Sequence, residues 1–122
     1  MNRQIKTNEI KHQNNKNCKP SPGFLQSLMR LDELKGITNH TILEMIKEFI
    51  PKLYRQPEIF PLQDGGLQFE YDRDDGAYLE FEFHADDKVK MFLADFNGCE
   101  QNKELNCNID EINKAIESFF QK

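Results

Sequence analysis

The sequence predicts an α+β fold: two N-terminal helices, a four-stranded antiparallel meander and a C-terminal helix, with the helices packed on one face of the sheet. Three observations predict it. Between residues 24 and 53 apolar side chains recur at three- and four-residue spacing. From residue 58 to residue 94 the period falls to two. After a polar stretch the helical period returns at Ile112. The whole is 122 residues long, enough for one domain around a single core.

Residues 1–22 stand apart from this pattern. Their only apolar residues are Met1, Ile5, Ile10 and Cys18. Arg3, Lys6, Lys11, Lys16 and Lys19 face Glu9 alone, a net charge of +4, whereas the whole chain carries −5 and the remainder therefore −9. This reads as a disordered or extended basic tail, followed by a single α+β domain over residues 23–122.

The first helix is expected from Ser21 and Pro22, as N-cap and first helical residue, through Phe24, Leu25, Leu28, Met29, Leu31 and Leu34 to Gly36. The second begins near Asn39–Thr41, where Thr41 and Glu44 have capping-box spacing, and buries Ile42, Ile46, Phe49, Ile50 and Leu53. Pro51 should loosen its last turn. Glu58–Pro61 reads as a short edge strand, since proline cannot donate to a central ladder. Three alternating strands follow, around Leu67–Asp72, Tyr78–Phe83 and Val89–Ala94.

Gly76, last in the loop Asp74-Asp75-Gly76, fixes one register, because three-residue hairpin loops end in a left-handed residue. Tyr71 then faces Leu79, Phe69 faces Phe81 and Leu67 faces Phe83. A loop at Ala85–Asp87 sets Phe83 opposite Val89. Residues 96–107 read as irregular. Asn108 and Glu111 then open a helix carrying Ile112, Ala115, Ile116, Phe119 and Phe120.

Charge and composition narrow the function. A body of −9 repels nucleic-acid backbones, which disfavours direct nucleic-acid binding. No apolar run approaches the roughly 18 residues of a membrane span, and the polar N-terminus lacks a signal-peptide pattern. Cys18, Cys99 and Cys107 are an odd set of thiols without a secretion signal, which points to a reducing cytoplasm. Cys99 and Cys107 lack a second pair that would make a zinc site, and no dinucleotide or phosphate-loop motif calls for a cofactor. Asn39-His40-Thr41 matches a glycosylation sequon but reads more simply as a helix start.

The segments Pro57–Pro61, Asp64–Tyr71 and Tyr78–Phe83 carry a resemblance. Together they are similar to a widespread group of small uncharacterised bacterial proteins. That group shares an extended proline-flanked segment, an Asp/Glu-Gly-Gly turn, a strand ending in Glu-Trp and a Leu-Glu-Ile-Glu strand. The resemblance covers residues 57–93, about a third of the chain. Tyr71 stands where the group has tryptophan, and Leu34–Ile37 stands where it has a Gly-Trp-Asp-Gly segment. The resemblance implies a bacterial or phage-borne cytosolic protein and transfers no catalytic residue.

The register that pairs the core also pairs the outside. Glu70 faces Glu80, Asp72 faces Tyr78, Gln68 faces Glu82 and Glu82 faces Lys90, while His84 falls opposite Lys88. Three readings of this acidic row follow. It is a solvated face with splayed side chains, since like charges opposite one another repel. It is a docking surface for a basic protein, formed by Glu70, Asp72, Glu80 and Glu82 with exposed Tyr78 and Phe92. Or Glu80, Glu82 and His84, projecting on one side at alternate positions, converge on a metal as a small metal-dependent enzyme.

Catalysis otherwise lacks parts: no serine sits in a nucleophile elbow, no cysteine has an adjacent histidine, His12 lies in the tail and His40 in a helix cap. The expectation is a non-enzymatic interaction or inhibitor module of the antitoxin, immunity or anti-defence type. It would use no cofactor, and its partner would be a basic protein such as a nucleic-acid enzyme or a toxin.

Overall fold

The computed structural model describes residues 22–121; the expected tail, with His12 and Cys18, lies outside them apart from Pro22. The described chain runs α1 (Phe24–Leu34), α2 (His40–Phe49), a 3-10 turn (Ile50–Lys52), β1 (Glu58–Pro61), β2 (Leu67–Asp72), β3 (Tyr78–Phe83), β4 (Lys88–Ala94), β5 (Glu100–Asn106) and α3 (Ile109–Phe120). The strands form one antiparallel meander in the order β1-β2-β3-β4-β5.

The sheet therefore has five strands, not four. Its fifth strand reads Glu-Gln-Asn-Lys-Glu-Leu-Asn and was expected to be irregular. All seven of its residues pair with β4, yet only Leu105 is even half-buried. As an edge strand exposed on both sides, it has no buried face to write an alternating pattern into its sequence. Its charges suit such an edge.

Local chemistry sets the helix limits. The first helix is capped by Gly23 rather than Ser21: Gly23 N donates to Gln26 Oε1 at 2.6 Å. At α2 the cap is Asn39, whose Oδ1 accepts from Ile42 N at 3.1 Å, in place of the Thr41–Glu44 box. Pro51 ends α2 and tightens the chain into the 3-10 turn, as proline cannot supply the next helical N–H. Asn108 caps α3, accepting from Glu111 N at 2.9 Å, while the Glu111 carboxylate reaches back to Asn106 N at 3.1 Å.

The β2–β3 and β3–β4 registers are those expected, with Phe69 opposite Phe81 and Phe81 opposite Met91. Gly76 adopts φ +93°, which permits the tight loop. Inward strand residues and the apolar stripes of α1, α2 and α3 join one core. Phe69, Phe81 and Phe83 are its largest fully buried members, and Phe69 meets Phe83 edge-on with centroids 4.7 Å apart.

Polar ties lock the layers. Tyr71 Oη donates to Arg55 O at 2.8 Å, and the Arg55 guanidinium lies 3.8 Å over the Phe120 ring. Arg73 forks onto Asp75 and donates to Phe119 O at 2.6 Å. Of the thiols, Cys99 is exposed and Cys107 half-buried, both free. Burial, with Asp86 and Asp87 nearby, pushes the Cys107 thiol up and keeps it protonated.

Candidate functional site

Because the helices gather on one side, the other side of the meander is a face of its own. Strand alternation and register order it into rows. The central row runs Glu58, Glu70, Glu80, Phe92 and Asn102 across all five strands. Beside it lies Phe60, Gln68, Glu82, Lys90 and Glu104. On the other flank Asp72 pairs with Tyr78, and Tyr78 with Ala94.

Three carboxylates in consecutive strands thus share one row. Glu58 was missed from sequence because β1 had been placed without a register. The five-residue connection Leu62–Gly66 supplies it, with Gly65 at φ +90° and Leu62 N donating to Gly66 O at 3.0 Å.

At the centre of the face two carboxylates are withdrawn from solvent, whereas Asp72, Lys90 and Glu104 around them are exposed. Glu70 and Glu80 are each only 7% exposed, although they carry like charges at paired positions. Each is held by a neutral donor from its own strand. Gln68 Nε2 donates to Glu70 Oε2 at 2.5 Å, and Tyr78 Oη donates to Glu80 Oε1 at 2.8 Å. Tyr78 and Phe92, expected to be exposed, are half-buried against one another with ring centroids 6.2 Å apart. A shallow cavity of about 180 Å³ opens between Glu80, Glu82, Lys90, Phe92 and Asn102.

The expected metal trio does not assemble. Glu80 turns to Tyr78. His84 instead bridges Glu82, at 3.0 Å from Nε2, and Asp64, at 2.6 Å from Nδ1. Among the described residues no cluster of three or more histidine, cysteine or carboxylate side chains is arranged to hold a metal ion.

A carboxylate on each ring nitrogen favours the imidazolium form, in which both nitrogens donate. The Glu82 hydrogen bond raises its pKa most, partial burial opposes, and the Asp64 bond raises it further. The His84 bond in turn holds the Asp64 carboxyl below the usual range, helped by Gly66 N. A histidine bound this way clamps the β1–β2 connection to the end of β3 and is poorly suited to act as a base.

Comparison with protein-family models, curated proteins and solved structures gives no match. Paired carboxylates beside two aromatic rings suit ammonium and guanidinium groups, by charge on one side and by ring faces on the other. Sequence located Glu70, Asp72, Tyr78, Glu80, Glu82 and Phe92 on one face, and the structure brings all six together there. No helix of the described residues is long and apolar enough to cross a membrane.

Proposed function

We propose that this chain is a small cytosolic protein-interaction module whose acidic sheet face docks the basic surface of a protein partner. The observation that carries this reading is the row Glu58, Glu70 and Glu80, two of its carboxylates buried side by side. A row of three carboxylates beside two aromatic rings matches a basic surface shaped to grip phosphates. An antitoxin, an immunity protein or a phage-type inhibitor of a nucleic-acid enzyme would use such a face. The resemblance of residues 57–93 to small bacterial proteins is in keeping with that setting.

The alternative, a metal-dependent enzyme centred on Glu80, Glu82 and His84, has less support, because His84 is engaged by Asp64 and Glu82 and Glu80 by Tyr78.

The test is affinity capture from the cell of origin at low salt with two baits. One is Glu70→Gln/Glu80→Gln. The other is Glu44→Gln/Glu48→Gln, which removes the same charge from exposed positions on α2. The reading requires a basic protein that wild type and the α2 variant retain and the face variant loses. Equal retention by both variants would refute it.

A further inference from the structure

We infer that the open edge of β5 takes an extended basic segment of a partner protein as a further antiparallel strand. This rests on the reading of the chain as a docking module for basic proteins, and it adds a strand edge to the acidic face.

The two edges of the sheet are finished differently. β1 has four residues and ends in Pro61, and the Ile59 carbonyl accepts from Arg30 Nε at 2.8 Å. Short length, a proline and a covering side chain are ways in which proteins close an edge. β5 has seven residues, no proline and an unbroken register with β4. Among the described residues no strand lies on its other side.

Hydrogen bonds show which backbone groups that edge presents. Cys107 N donates to Asp87 O at 3.0 Å, toward the β4 side, whereas Asn106 N donates to Glu111 Oε1 at 3.1 Å. In an antiparallel strand alternate residues direct both their N–H and C=O groups to the same side. Glu100, Asn102 and Glu104 therefore direct theirs as Asn106 does, away from β4. All three residues are exposed. α3 reaches only the Asn106 end, through Glu111. The rest of the edge offers alternating donors and acceptors, the pattern by which a sheet captures an extended peptide.

Charge selects the occupant. Residues added opposite Glu100 and Glu104 would share the outward face, where Glu104 continues the row of Glu82 and Lys90, and Asn102 the row of Glu80 and Phe92. Lysine or arginine at those two positions, four apart, meets a carboxylate directly. On the helix side the residue opposite Lys103 should be acidic or neutral, and the one opposite Leu105 apolar.

A second copy of this chain is a poor occupant. Two β5 edges related by a two-fold axis must match outward-directed groups with outward-directed groups. The registers that pair most of the strand set Lys103 against Lys103, Glu100 against Glu104, or Glu104 against Glu104. Like charges directly opposite repel. The same charges admit a basic strand and discourage self-pairing.

The probe is the peptide Thr-Val-Lys-Glu-Thr-Thr-Lys, written to run antiparallel to β5 from Asn106 to Glu100. It is titrated into the isotope-labelled full chain at low salt and followed by NMR. Shift changes and slowed amide exchange are expected at Glu100, Asn102 and Glu104. N-methylation of the third and fifth peptide residues removes N–H groups aimed at β5 and keeps every charge. Affinity should then fall about tenfold or more. Methylation of the fourth and sixth residues, whose N–H groups point away, should leave it within about twofold. No shifts at millimolar peptide, equal affinity of the two methylated peptides, or shifts confined to the rows around Glu70 and Glu80 would overturn the inference.

Asn102→Pro removes one outward N–H without touching the β4 ladder, and should weaken the unmodified peptide by about three- to tenfold. Unchanged affinity would also count against the edge. The methylated pair needs no change in the protein, so the test does not depend on that variant folding. The two ideas fail separately. If methylation toward β5 weakens the peptide and captured partners ignore Glu70→Gln/Glu80→Gln, the edge stands and the reading of the face fails. If captured partners need Glu70 and Glu80 and the methylated peptides bind alike, the edge fails alone.

Discussion

Phe81 is the residue on which the two-faced account of the sheet depends most. Its ring is fully buried, 6.3 Å from the Tyr71 ring at an edge-on 87° and 6.5 Å from Phe83, with Phe69 and Met91 on the paired strands. Phe81→Ala removes the ring from this setting. The lost transfer energy is about 1.5–3 kcal/mol. A residual void on the order of 60 Å³, at about 24 cal/mol per Å³, adds about 1.5 kcal/mol. The expected loss is therefore about 3–5 kcal/mol, a third or more of the roughly 5–15 kcal/mol of a domain this size. Phe92→Ala, one strand over but on the opposite face, should cost about 1 kcal/mol, because its ring is half-buried outside the core. Urea denaturation followed by circular dichroism measures both. A Phe81→Ala loss below about 1 kcal/mol, or a Phe92→Ala loss exceeding it, would show that the faces are assigned the wrong way round.

Three further outcomes follow from particular contacts. Gly66→Ala would place a Cβ 2.3 Å from the Phe83 carbonyl oxygen, so β2 or β3 must shift; a loss of about 1–3 kcal/mol is expected in denaturant melts, and a neutral change would contradict the close approach. His84 should titrate above an unperturbed histidine by NMR, and Glu82→Gln should lower its midpoint. Because its folded pKa is raised, its stabilisation is complete below about pH 6.5 and is lost as pH climbs through the raised value. The lowered carboxyl of Asp64 works in the other direction: its share is present above the usual carboxylate range and fades as pH falls through the depressed value. Arg73→Lys keeps the charge but loses the fork on Asp75, so α3 should be held less firmly to the β2–β3 turn; a loss of about 1–2 kcal/mol and faster amide exchange near Phe119 would register it, and unchanged exchange would argue against it.

The elements legible in the sequence were those whose burial is one-sided. Alternation in β2, β3 and β4, with a left-handed glycine at Gly76, was enough to set which carboxylates face which, because a one-residue slip would have exposed Phe69 and Phe81. β5 was illegible for the same reason in reverse: exposed on both sides, Glu100–Asn106 carries no burial pattern, and its pairing comes from the chain turning back after Asp95–Gly98. The burial of Glu70 and Glu80 was also out of reach, since the Gln68–Glu70 and Tyr78–Glu80 hydrogen bonds have no signal in the residue pattern. His84 showed a ligand-like spacing with Glu80 and Glu82, but its second partner, Asp64, lies 20 positions away and meets it only once the β1–β2 connection folds over.

Docking of a basic partner on the outer face of the sheet is our proposal. Its most direct test pairs a melting curve of Glu70→Gln/Glu80→Gln with an affinity titration against the captured partner over a range of salt. Glutamine keeps an acceptor oxygen for Gln68 and Tyr78 and removes the charge at both positions. The double variant should therefore still fold and give a single cooperative melt. It should bind its partner more weakly at low salt, and the difference should shrink as the Debye length falls below about 8 Å. A double variant that binds at full strength in low salt would remove this face from the interface and contradict the account.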